Sequence, residues 1–67
     1  MRWKPKGGEI FYKVAAYGDS VDSVNTDDYL ICRYVGFGNC FRTKEQAEEA
    51  AKRIRETLEK YHEEIGE

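Results

Sequence analysis

The stretch TKEQAEEAAKRIRETLEKYHEEIGE at positions 43–67 decides the fold. Thr43 and Gln46, three residues apart, form a capping-box pattern in which each side chain satisfies the other's backbone N–H, and Glu45 places negative charge where the helix dipole favours it. Ala47, Ala50, Ala51, Ile54, Leu58, Tyr61 and Ile65 recur at steps of three and four, which makes one apolar stripe. On the outside, Glu48–Lys52, Glu49–Arg53 and Glu56–Lys60 stand at i, i+4, and Gly66 ends the run. An amphipathic helix over 43–65 is therefore expected to lay its stripe on whatever precedes it. The alanines permit close approach at its start, the larger residues fill a widening gap, and aspartate at Ile54 or Leu58 is expected to unfold the domain.

The residues upstream read as β-structure. Glu9 to Tyr17 is rich in β-branched and aromatic residues, with Ile10, Tyr12, Val14 and Ala16 on one face and Phe11, Lys13, Ala15 and Tyr17 on the other; the first face is expected to be the core. Gly18-Asp19 supplies a turn, Ser20 to Val24 a short polar strand that closes a hairpin, and Asn25 to Asp28 a second polar break. Tyr29 to Val35 is the most apolar stretch and has the length of a central strand. Gly36 to Asn39 then bends the chain, with Phe37 either a core plug or an exposed loop tip, before Cys40-Phe41 leads into the helix. The expected fold is α+β: a small three-stranded antiparallel sheet with one long C-terminal helix on one face, βββα. Residues 1–8 form an arm, 9–41 the sheet and 43–65 the helix of a single domain, since 67 residues hold only one. Strands of seven residues span about 23 Å and a 22-residue helix roughly 33 Å. The last turns, with Tyr61, His62 and Ile65, should overhang the sheet, either as a contact for a partner or as a frayed end.

Composition narrows the function classes. The formal charge of −2 splits into +2 over residues 1–44 and −4 over residues 45–67, a mildly basic sheet half and an acidic helix. So weak a net charge gives no long-range pull toward nucleic acid. No apolar run reaches the roughly 20 residues that cross a bilayer, and the start MRWKPK lacks the apolar stretch of a signal peptide, so an intracellular protein without a membrane partner is expected. Cys32 and Cys40, with only His62 in addition, are too few for a zinc site and read as reduced packing thiols. Asp19, Asp22, Asp27 and Asp28 do not match a Ca²⁺ loop and suit turns. Neither cysteine has a histidine nearby, and no nucleophile elbow, P-loop or dinucleotide fingerprint occurs. No enzymatic activity, cofactor or metal is expected. In the arm, Pro5 and the Gly7-Gly8 pair keep the chain out of helix, and Trp3 is expected to fold back over an open edge of the core, a partner-binding role being the alternative.

Trp3-Lys4-Pro5 with Gly8-Glu9 and an aromatic strand, followed by Gly38-Asn39-Cys40-Phe41-Arg42-Thr43-Lys44-Glu45-Gln46-Ala47-Glu48, resembles a widespread group of small phage- and prophage-encoded proteins of Gram-positive bacteria. That group carries an aromatic strand region ahead of a G-N-x-F-x-T-x-E-x-A-E helix entry. The resemblance spans most of the chain. It implies a phage accessory protein in the cytoplasm of a bacterial host and carries over no catalytic residue. Small phage proteins without catalytic residues commonly occupy a surface of a host protein. The expected function is thus a stoichiometric protein binder, an anti-CRISPR-like inhibitor of a host defence nuclease. Its acidic helix face, Glu45, Glu48, Glu49, Glu56, Glu59 and Glu63, together with Tyr61, is the candidate surface, standing in for phosphates in a basic groove. A solvated helix exterior accounts for the same pattern.

The rival is a nucleic-acid-binding module. A three-stranded sheet backed by a helix is similar to the plant ethylene-response DNA-binding domain and the arm-binding domains of phage integrases. Arg2, Lys4, Lys6, Lys13, Arg33 and Arg42 would serve if they share an exposed sheet face, where Lys13 and Arg33 are expected. A homodimer formed through the helix overhang or a strand edge is a third expectation.

Overall fold

The computed structural model describes residues 2–26 and 31–66. They fold as β1 (Ile10–Ala15), β2 (Ser20–Asn25), α1 (Ile31–Phe37) and α2 (Lys44–Ile65), a small α+β arrangement. β1 and β2 form an antiparallel hairpin in the register Phe11 opposite Val24 and Val14 opposite Val21. The tight turn between them holds three successive residues, Ala16, Tyr17 and Gly18, at positive φ.

The expected central strand is not found among the described residues. Ile31 to Phe37 is helical, and Tyr29, Leu30, Asp27 and Asp28 lie outside the described residues. A seven-residue apolar run is compatible with either element, because periodicity does not separate a buried strand from a short buried helix. The residues just after the run decide between them. Gly38 adopts φ +82°, its N–H donates to Val35 O (3.2 Å), and the Asn39 N–H donates to Tyr34 O (2.9 Å). This pair of hydrogen bonds around a left-handed glycine closes a helix, so the glycines read as a strand interruption are a helix stop.

The place of a third strand is taken by two short contacts. The Asn39 side-chain amide accepts from Val14 N–H (2.7 Å) and donates to Val14 O (2.9 Å), acting as a piece of strand. Two residues on, Phe41 exchanges both backbone bonds with Tyr12, at 2.8 and 2.9 Å. β1 is thereby paired on both edges.

With a helix before α2, Tyr34 of α1 comes over the hairpin beside Phe11 and Lys13. Phe11 is fully buried, its ring centroid 6.5 Å from that of Tyr34 on α1, and Lys13 lies over the same tyrosine. Val14, on the opposite face, is buried too. The expected core face of Ile10, Tyr12, Val14 and Ala16 is therefore only partly correct: Ile10 and Ala16 are exposed, and the largest fully buried side chain among the described residues, Phe11, belongs to the other set.

α2 begins as expected. Thr43 Oγ1 accepts from Gln46 N–H (3.1 Å) and Gln46 Oε1 accepts from Thr43 N–H (3.4 Å); at the far end Gly66 closes the helix at φ +77°. Ala47 and Ala51 are buried against the hairpin. Gly18 makes the closest approach, for a Cβ there would lie 2.7 Å from the Ala51 carbonyl oxygen, and the Arg55 guanidinium donates to the Gly18 carbonyl. Beyond this point the helix runs free. Ile54, Leu58, Tyr61 and Ile65 are 39, 49, 58 and 46% exposed, so the overhang starts about two turns earlier than expected. Ile54 and Leu58 are half-exposed rather than core residues, so aspartate there breaks less packing than the stripe implies. The molecule measures 45 × 23 × 20 Å because of this free half.

Candidate functional site

The arm folds back, held by bonds near its base. Lys6 N–H donates to Glu9 Oε1 (2.7 Å), and the Lys6 carbonyl accepts from Glu9 N–H (3.0 Å) and from Thr26 Oγ1 (2.8 Å). Arg2 and Trp3 are thereby carried to the start of α2, where the Arg2 guanidinium lies against Gly38 in space that a Cβ would fill. Between arm and helix runs an open groove of about 640 Å³. Trp3, Cys40, Phe41 and Ala50 contribute to its lining, and Arg2, Arg42, Arg53, Glu45 and Glu49 bring charge of both signs to it. Trp3 is half-buried there, which agrees with the expected folding back. Burial pushes the Cys40 thiol above its ordinary pKa, so it is a weaker nucleophile than a free cysteine at neutral pH. Cys40 carries no disulfide.

The two candidate residue sets are redistributed by the fold. Of the basic set, Arg2 and Arg42 line the same groove. Lys4 is exposed on the arm, and Arg33 is exposed on α1 rather than on the sheet. Lys13 is covered by Tyr34 at 4.9 Å and paired with Asp22 at 3.5 Å, and its side chain is 17% exposed. The expected basic sheet face is therefore not formed, because the strand that was to carry Arg33 is a helix.

Of the acidic set, every member is exposed on α2. Glu49 pairs with Arg53 at 3.1 Å as expected, but Glu48 pairs with Lys44 (3.9 Å) and Glu56 with Lys52 (4.0 Å), not with Lys52 and Lys60. Both carboxylates have a lysine one turn away on either side, so spacing alone does not select the partner. Glu45, Glu59 and Glu63 make no ion pair among the described residues. Tyr61 stands on the free half of the stripe, and Phe37 is 84% exposed at the end of α1, an exposed tip rather than a plug.

The groove itself was not legible in the sequence, since it depends on where a glycine-linked arm comes to rest. Its one advance sign is the repeat of charged residues at Arg42, Glu45, Glu49 and Arg53, spaced at three and four along the start of the helix. Among the described residues no cluster of histidine, cysteine and carboxylate side chains is placed to hold a metal, and no helix is long and apolar enough to cross a membrane. Fold and site together define, among the described residues, a hairpin packed on a long helix and touched by a short one, with a mixed-charge groove beside the arm and a helix whose distal half is exposed. No protein-family model, curated protein or solved structure matches the chain.

Proposed function

We propose that this is a non-enzymatic phage accessory protein that acts by stoichiometric binding of a host protein in the bacterial cytoplasm, an anti-CRISPR-like inhibitor of a defence nuclease. The observation that supports it is the outer face of α2. Glu45, Glu48, Glu49, Glu56, Glu59 and Glu63 all stand exposed along one rigid element, capped at both ends, that presents negative charge at helical spacing. A basic nucleic-acid groove on another protein is the complement of such a face. The test is capture of a partner from nuclease-treated host lysate, followed by reversal of Glu45, Glu48 and Glu56 to lysine. Release of a nuclease-resistant protein partner supports the reading. Retention after reversal, or capture that depends on nucleic acid, refutes it.

One observation favours a second reading, binding of single-stranded nucleic acid. Arg2, Arg42, Trp3 and Phe41 line the same groove, and cations together with aromatic rings suit a phosphate backbone with stacked bases. Glu45 and Glu49 in the same groove weigh against it. Salt-dependent binding of an oligonucleotide, lost on Arg2→Glu, Arg42→Glu and Trp3→Ala, would support this reading over the first.

A further inference from the structure

The free half of α2 carries a pattern that complements itself. At about 100° per residue, Ile54, Leu58, Tyr61 and Ile65 fall within about 60° of arc, alternating in steps of four, three and four. This is the seam spacing of a two-helix coiled coil, and the buried Ala47 and Ala51 continue it under the hairpin. We propose that this stripe is covered by the same stripe of a second copy of the chain, running antiparallel, with Ile54 against the partner's Ile65 and Leu58 against the partner's Tyr61. Both pairs share one centre, midway between Glu59 and Lys60. The pairing uses a face separate from the acidic one and stands or falls independently of what that face binds.

Charge selects the direction. Arg53 and Arg55 flank the stripe at its N-terminal end, one on each side, and Glu64 flanks it at the C-terminal end on the side of Arg53. In an antiparallel pair like flanks face each other with the ends exchanged, so Arg53 meets the partner's Glu64 within one residue of the common centre. A parallel pair would set Arg53 beside the partner's Arg55. Arg53 uses Nε for Glu49, which leaves its terminal nitrogens for a second carboxylate. Length agrees as well. The partner's α2 ends at Gly66, opposite Arg53, just short of Ala51 where the hairpin sits, and the partner's own hairpin lies at the other end. A shallow depression of about 240 Å³ formed by Arg53, Ile54, Thr57 and Leu58 receives the partner's Tyr61 and Ile65.

Sedimentation equilibrium on the intact chain from about 10 µM to about 1 mM tests the pairing, the range being set by an interface of less than standard size. Wild type is expected to follow a monomer–dimer equilibrium. Leu58→Glu, at an exposed site that leaves the monomer folded by circular dichroism, should raise Kd at least about a hundredfold by placing charge in the seam. Arg53→Glu and Glu64→Arg should each raise it about tenfold, because two symmetric contacts are lost and repulsion is introduced. The chain carrying both changes should return to within about threefold of wild type. These residues are eleven apart, so they meet neither within one helix nor in a parallel pair. A wild-type chain that stays monomeric at 1 mM, wild-type dimerisation by Leu58→Glu, or a double variant no tighter than the singles overturns the proposal. So does a foreign protein that binds the monomeric chain and is released by Leu58→Glu, since it assigns the stripe to that protein.

Discussion

Gly18 is the residue on which the hairpin and α2 depend for their closest contact. Its φ of +101° and the nearness of the Ala51 carbonyl leave no room for a side chain. Gly18→Ala should lower unfolding free energy by at least about 2 kcal/mol in urea titrations, through backbone strain and displacement of α2 together. Asn39 is as specific in a different way, because it needs one donor and one acceptor on the same side chain. Asn39→Asp keeps the shape but sets a carboxylate oxygen against the Val14 carbonyl; an expected loss of about 2–3 kcal/mol is read by the same titration. Cys40 supplies a chemical check on burial. With its thiol held above the ordinary range by desolvation, its alkylation should be slow at neutral pH and should accelerate only as pH rises past the pKa of an unburied thiol, whereas the unfolded chain reacts at the ordinary pH. Equal pH profiles for folded and unfolded protein would contradict the placement of Cys40 beside the arm. Gly38, Asn39, Phe41 and Thr43 thus turn out to be a helix stop, an edge patch, a ladder residue and a helix start. The G-N-x-F-x-T part of the resemblance has a structural explanation at each of these positions.

At the scale of elements, local signals were readable and tertiary ones were not. α2 was legible to within a residue because its start and stop are written in side-chain chemistry, Thr43 with Gln46 and Gly66. The β1–β2 hairpin was legible from alternation and from Gly18-Asp19. α1 was not, since Ile, Val and Tyr in a short run favour a strand by propensity and only the Gly38-Asn39 stop marks the helix. The core face is not legible for a connected reason: alternation along β1 points to one buried face, and Tyr34 of α1 helps cover the other. Burial of Ile54 and Leu58 failed because amphipathicity shows that a stripe wants a partner without saying whether this chain provides it. α2 is therefore one helix in two environments. Amide hydrogen exchange at low concentration should show protection at Ala47 to Ala51 approaching that of β1, and markedly faster exchange from Leu58 onward. Uniform protection along α2 would mean that the distal half is packed.

For the molecule as a whole, the three candidate surfaces are separated by the fold rather than by distance. The acidic face and the groove lie where α2 is anchored or faces outward, and the free stripe lies where nothing among the described residues reaches it. Substitutions on the exposed stripe can therefore be made without disturbing the hairpin, and reversals on the acidic face cost exposed ion pairs such as Lys44–Glu48, which contribute little, and at Glu45 a favourable interaction with the helix dipole.

The mismatch in length between α2 and the hairpin also sets how the molecule moves in solution. A body 45 Å long and 23 Å across has an axial ratio near two, and it tumbles end over end more slowly than it spins. The amide vectors of α2 lie nearly along the long axis and sense only the slow rotation, while those of the hairpin sense both. Nuclear spin relaxation thus carries a built-in reference direction. A second chain joined tail to tail along α2 would keep that direction and lengthen the body, so the contrast between helix and hairpin relaxation would sharpen with concentration.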